Sequence, residues 1–434
     1  MVPFHEAARV WAKVAALSFG GPAGQIAVMQ RLIVDERRWI SQRRFLHALN
    51  YCMLLPGPEA QQLATYVGWL MHGWRGGLVA GGLFILPGFL SILVLSLVYA
   101  AWGHVPLVEA LFYGIKAAVL AIVVHALVRI GRRALASPLL LSVAGLAFLA
   151  IFGFDVPFPA IVVGAALIGW LGARLGVASL RSAALPEEGD PSESPPAVPL
   201  RRTVAVTTLW LAIWWVPVLA LALVAEGSVF VAEAVFFSKT AVVTFGGAYA
   251  VLAYIAQVAV EDFGWLAPGE MLDGLGMAET TPGPLIQVVQ FVGFMGAYRN
   301  PGGLDPLLAG VAGSVVTTWV TFAPCFLWIF AGAPYVELLR GRRALNSALA
   351  AVTAAVVGVI LNLAVWFAVQ TLFGRTVAID RWGLEIDAPV WSTIDPVAAA
   401  IAAGAAVALF RLQWGIISTL AVAGGIGAAV RLLA

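Results

Sequence analysis

Charge is scarce in this 434-residue chain. Only 11% of its residues are Asp, Glu, Lys or Arg, while 61% are hydrophobic; soluble domains carry roughly 25% charged and 45–50% apolar residues. That balance excludes a nucleic-acid binder or a soluble enzyme. Cysteine is scarcer still: Cys52 and Cys325 both sit in apolar runs, which excludes a disulfide scaffold and supplies no metal site. The five histidines show no ligand spacing, so neither a metal nor a cofactor is expected. The opening MVPFHEAARVWAKVAALSFGG runs into a Gly-Gly break rather than a small-residue cleavage site, so no cleavable signal is expected. Lysine is the rarest cation: Lys13, Lys116 and Lys239 lie inside apolar stretches, whereas the other 22 positive side chains are arginines clustered in loops. What remains is enough apolar sequence for a dozen or so membrane segments of about 20 residues, and the fold class read from it is an all-α polytopic membrane protein.

The chain repeats itself. Residues 4–61 align with 230–287 at a constant offset of 226, pairing Lys13 with Lys239, Phe19-Gly20-Gly21 with Phe245-Gly246-Gly247, Trp39 with Trp265, Pro56-Gly57-Pro58 with Pro282-Gly283-Pro284, and Gln61 with Gln287. After an 11-residue insertion near 299–309 the offset becomes 237, and Leu86-Pro87 meets Ala323-Pro324. The expected organisation is an N-terminal transporter repeat (1–184), a cytoplasmic Pro-rich linker (185–202) that is too polar to pack, an extra transmembrane helix (203–228) and a C-terminal repeat (229–434). Arginines set the orientation. The loop 31–44 carries five, its counterpart 257–270 none; segment 102–106 carries none, its counterpart 340–343 three. The halves are therefore expected to be inverted-topology repeats, with the N-terminus cytoplasmic and the C-terminus external. Each half opens with broken, re-entrant helical hairpins (3–38 and 45–72; 229–258 and 271–297), followed by spans near 78–101, 107–128, 138–152 and 158–173, and 303–331, 344–372, 394–410 and 414–431.

Breaks at membrane depth survive only where buried in protein or lining a wet cavity, and matched breaks in inverted halves point to a substrate site at their interface. Pro58 and Pro284 suit the first helical position, where no N–H is needed. The amides that follow open into the break at the positive end of a helix, which attracts anions. Candidate substrate-binding residues are Lys13, Ser18, Gly20, Gly21, Gln25, Gly57, Pro58, Gln61 and Lys116 from the first half, and Lys239, Thr244, Gly246, Gly247, Thr281, Gly283 and Gln287 from the second. Bland alternatives stand beside each. A lysine two turns from a helix end can snorkel, Pro-Gly-Pro can be a simple kink, and Gly runs can be helix-packing surfaces. Glu59, replaced by Leu285 in the second half, and Glu279, which replaces Met53, either couple anion binding to protonation or cap a helix. No paired acids or nucleophile–base spacing suggests an enzyme.

Ser18-Phe-Gly-Gly-Pro22 with the charged loop Asp35-Glu36-Arg37, Leu55-Pro-Gly-Pro-Glu59 with Gln61, and the copies Thr244-Phe-Gly-Gly247 and Thr281-Pro-Gly-Pro284 resemble the chromate ion transporter family in its long-chain, two-domain form. The second half departs from the pattern with Ala248 in place of Pro22 and no Glu after its Pro-Gly-Pro. The resemblance implies export of chromate across the inner (plasma) membrane, driven by the proton-motive force. The expected partners are chromate, with sulfate as a competitor of like shape and charge, protons, the lipid bilayer and a second copy of the chain in a homodimer; nucleic acid is not among them. The alternatives are uptake of sulfate or another tetrahedral oxyanion, and a passive anion channel.

Overall fold

The structure, a computed structural model, describes residues 2–19, 21–177, 199–245, 248–335, 343–381 and 384–433. Local chemistry starts many of the helices. Pro106 opens α5 (Pro106–Ala134), and Ser137 accepts the Leu140 N–H ahead of Pro138 in α6 (Pro138–Phe154). The order before them is α1 (Phe4–Leu17), α2 (Gly21–Met29), α3 (Gln42–Cys52) and α4 (Glu59–Trp102). After them come α7 (Phe158–Arg174), α8 (Leu200–Val224), α9 (Val229–Val243), α10 (Ala248–Gln257), α11 (Glu270–Thr280) and α12 (Val288–Arg299). Asp305 accepts the Leu307 and Leu308 amides at the start of α13 (Pro306–Gly332), which α14 (Arg343–Leu372), α15 (Pro396–Phe410) and α16 (Ile416–Leu433) follow.

Six of these helices are long and apolar enough to cross a membrane; α6, α7 and α15 are shorter apolar helices. Large apolar side chains such as Leu146, Leu149, Leu167, Leu209 and Leu219 stand exposed on α6, α7 and α8. A soluble surface seldom tolerates that much contiguous apolar area, whereas lipid does. The chain is an all-α membrane protein whose described strands are one antiparallel hairpin, β1 (Thr376–Arg381) on β2 (Leu384–Pro389). The sequence reading has no such hairpin.

The elements recur in the same order and geometry. α2 and α10 both widen into a π-type turn, at Gln30–Glu36 and Val258–Asp262. The Trp39 and Trp265 amides then reach back to the carbonyls of Ile33 and Ala259, at 2.9 and 2.7 Å, two pairs that the offset of 226 superposes. The halves interlock: α5 packs on α15 and α16, while α14 packs on α6 and α7. Small residues allow the close approaches. A methyl on Gly114 would strike the backbone of Ala423, and one on Gly358 that of Ala144.

Two expectations need correction. α8 begins at Leu200, so Arg201 and Arg202 are its first turn rather than the end of a linker; the rest of 185–202, apart from Pro199, lies outside the described residues. α4 is interrupted where the return arm of the second hairpin was expected to end: His72 (φ −138°, ψ 23°) and Gly73 (φ 63°, ψ −152°) are non-helical, and the chain folds back so that the backbones of Gly68 and Gly76 lie against each other before helix resumes to Trp102. In the second half a non-helical 300–305 separates α12 from α13. Finally, Pro58 and Pro284 sit one position before the first helical residue, in extended backbone (φ −71°, ψ 105°; φ −63°, ψ 132°). Their missing N–H still costs nothing there.

Candidate functional site

The four breaks meet by exchange between the halves. α1 ends at Ser18 and α9 at Thr244, and each hydroxyl bonds back to the carbonyl four residues earlier: Ser18 Oγ to Val14 O at 2.7 Å, Thr244 Oγ1 to Thr240 O at 2.6 Å. Their own carbonyls are left for the opposite half. The Gly57 N–H donates to Thr244 O at 2.7 Å, and the Gly283 N–H donates to Ser18 O at 2.9 Å. Gly57 and Gly283 hold φ of 121° and 108°, a region that side chains avoid. A methyl on Gly57 would meet Gln62 Nε2 at 2.8 Å and Cys325 Sγ at 3.0 Å; on Gly283 it would meet the Gly88 backbone at 3.0 Å. Gly88 and Cys325 are repeat equivalents, and each follows a proline, Pro87 or Pro324. Each Pro-Gly-Pro break thus rests on the proline-bearing helix of the other half.

Buried amide side chains line this crossing. Gln25 Nε2 donates to Gly283 O at 2.6 Å. Gln61 Nε2 donates to Thr65 Oγ1 at 3.1 Å, and Gln287 Nε2 to Gln290 Oε1 at 2.6 Å and Thr318 Oγ1 at 3.1 Å. The Oε1 atoms of all three have no hydrogen-bond partner among the described residues. The first-turn amides of α4 face the break without intrahelical acceptors. In the second half a tight turn at Leu285–Gln287 leads into α12 instead. Gly21 opens α2 and is buried, and Thr281 is buried with its hydroxyl on Ala278 O at 3.2 Å. Gly20, Gly246 and Gly247 lie outside the described residues. Glu279 is buried and accepts the Tyr249 hydroxyl; Glu59, half-buried, is the first residue of α4. Lys13 and Lys239 are exposed, and no hydrogen bond or ion pair among the described residues ties either one to the crossing.

Lys116 is placed differently, in a cavity of about 790 Å³ where α4, α5, α11 and α12 meet. Its Nζ lies 3.1 Å from Asp273 Oδ2, a carboxylate only 2% exposed. The Tyr99 hydroxyl donates to the same oxygen at 2.8 Å. Arg299 grips Glu270 through two bonds of 2.8 Å, the fork geometry in which guanidinium and carboxylate bind best. Across the cavity Tyr113 donates to Asp395 Oδ2 at 2.8 Å, and Arg431 stands 3.6 Å from that oxygen. A second hollow of about 460 Å³ shares Tyr113, Lys116 and Arg431. Lys116, Arg299 and Arg431 each have a carboxylate, so an entering anion competes with Asp273, Glu270 or Asp395 for them. Asp273, Glu270, Tyr99 and Arg299 escaped the sequence reading. The signal for Asp273 was present: an acid inside a broken membrane helix is a functional candidate by default.

Comparison with known proteins extends over nearly the whole chain. The chromate transport protein of Pseudomonas aeruginosa is 34% identical over 355 residues, 80% of this chain and 77% of that one. The probable chromate transport protein of Synechococcus elongatus is 27% identical over 398 residues, 90% of this chain and 93% of its own. The chromate transport protein of Cupriavidus metallidurans is 27% identical over 360 residues, covering 83% and 81%. No solved structure matches. The chromate transporter family model matches residues 5–170 and 232–428, the two stretches that carry the paired breaks, and the chain accordingly belongs to the chromate transporter family.

Proposed function

We propose that this chain is a secondary transporter that exports chromate across the inner membrane, driven by the proton-motive force, through two inverted halves. The observation that carries the reading is the reciprocal pair of bonds, Gly57 to Thr244 and Gly283 to Ser18. It brings two helix starts and three buried amides together where the halves cross, an arrangement suited to an oxyanion rich in acceptors and poor in donors. Inversion is supported by the anchoring of the hairpins. In the first half Arg37, within the Arg-rich loop 31–44, pairs with Glu6 at the start of α1. In the second, Gln257 donates to Asp155 at 2.6 Å, at the end of α6 remote from Arg132 and Arg133. On the positive-inside rule the Lys116 cavity then faces outward and the C-terminus is external. Lys116 supplies charge along the route; Glu59 and Glu279 are coupling candidates.

The test is chromate flux in inverted membrane vesicles, with pH gradient and potential imposed separately and sulfate added as competitor. Wild type accumulates chromate inside, slowed by sulfate; Gln61→Ala/Gln287→Ala accumulates at least tenfold less at equal protein. Flux only in the opposite direction makes the protein an importer, and flux without accumulation under either gradient makes it a channel. An unaffected double variant removes the crossing from the route.

A further inference from the structure

One carboxyl buried inside the protein is used by nothing described so far. Glu233, on the second turn of α9, is 0% exposed, and neither of its oxygens has a hydrogen-bond partner among the described residues. It sits where α9 crosses α12 and α13. A methyl on Gly296 would meet Oε1 at 2.9 Å, and one on Gly313 would meet Oε2 at 3.0 Å. Two further buried oxygens on α13, Ser314 Oγ and Thr317 Oγ1, are also without partners there.

Among the described residues no ionisable group faces Glu233. α12 presents Gly296, α13 presents Gly313, and the loop before α11 presents Trp265. The charged residue of α12, Arg299, is taken by Glu270 and by the Trp265 carbonyl at 2.8 Å, and Lys239 on α9 itself is exposed. An ionised carboxylate without partners in a low dielectric is among the costliest arrangements a protein can hold, and binding one proton removes that cost. Packing does not call for the acid. The equivalent position of the first half, 226 residues earlier, is Ala7, buried against its own hairpin. The acid is therefore an addition to one half of a duplicated scaffold.

We infer that Glu233 is a proton-binding site of the transport cycle: its carboxyl holds one proton in the state described here and releases it when α9 moves against α12 and α13. The coupling part rests on the reading of the chain as a proton-driven chromate transporter. Because no hydrogen bond or ion pair among the described residues joins Glu233 to Gln61, Gln287 or Lys116, the site is assigned to the driving ion and not to the anion.

The test uses the purified full chain, reconstituted in vesicles, as wild type, Glu233→Gln and Glu233→Ala. Two fluxes are measured, chromate accumulation under an imposed pH gradient and chromate–chromate exchange without one. The ratio of driven to exchange flux falls at least tenfold in both variants; a wild-type ratio in Glu233→Gln overturns the coupling role. A second readout needs no transport. The infrared carbonyl band of a protonated carboxylic acid, present in wild type, is lost in Glu233→Gln; an unchanged band overturns the proton site. If wild type moves no chromate, the transport reading fails while the infrared result still decides Glu233. Replacing sodium by potassium on both sides changes nothing; a sodium requirement removed by Glu233→Gln would make this a metal-cation site and overturn the proton assignment.

Discussion

Gly57 and Gly283 carry the site at the level of single residues, because each must hold a positive φ, donate its N–H across the halves and leave room for a neighbour. Gly283→Ala adds backbone strain of order 1–3 kcal/mol and an overlap with the Gly88 backbone worth another roughly 1–3 kcal/mol. Its melting temperature in detergent should fall well below that of wild type. Gly57→Ala should fall less, since the atoms it meets belong to side chains that can turn. Lys116 and Asp273 make a second residue-scale prediction. Lys116→Met strands a carboxylate that is 2% exposed; the cost is about 2–3 kcal/mol, at the low edge of buried-pair values because Lys116 is itself 31% exposed. Adding Asp273→Asn should restore most of it in the same melting assay. These residues differ in how they could be read. The glycines announce themselves by duplication, and Gln61 and Gln287 with them. Asp273 and Glu233 are single copies whose meaning depends on what surrounds them, and only the lysines among the intramembrane charges stood out by rarity.

At the scale of elements, broken helices differ in what holds them. α1 and α9 stop because Ser18 and Thr244 leave helical geometry and turn their carbonyls toward the other half; the sequence marks the stop but not the acceptor's partner. α8 has no counterpart in the first half and few buried residues, Trp214 and Val218 among them. Trp214→Ala should cost about 3–5 kcal/mol, because it also removes the bond from Nε1 to Ser238 Oγ at 3.1 Å. Leu209→Ile and Leu219→Val, on the exposed face, should change the melting temperature by no more than a few degrees. Helix starts were legible where Pro, Ser or Asp marks them, as at 106, 138, 306 and 396. The β1–β2 hairpin was not, since two six-residue strands after a long apolar helix give little periodic signal.

For the whole molecule, the proposed opposition of the halves makes a prediction that needs no transport assay. Gln42 and Pro268 are repeat equivalents, both exposed. Gln42→Cys should react with an impermeant thiol reagent only in inverted vesicles, and Pro268→Cys only in intact cells. Cys52 and Cys325 are buried and leave the background low. Labelling of both cysteines from one side would show parallel halves and remove the inverted topology.

Sequence alone determined that the chain lives in lipid, that it is two copies of one unit, and where each copy breaks, because hydropathy, duplication and Pro or Gly punctuation are local properties. The tertiary structure decided which breaks touch: α5 and α14 are exchanged between the halves, so Gly57 meets Thr244 and Gly283 meets Ser18 across 187 and 265 residues of chain. It also sorted the charges. Lys13 and Lys239 reach the surface, Lys116 meets Asp273, and Glu233 is sealed against α12 and α13 with no hydrogen-bond partner among the described residues. Burial and pairing are properties of neighbours far apart in the chain, and a residue's type does not carry them.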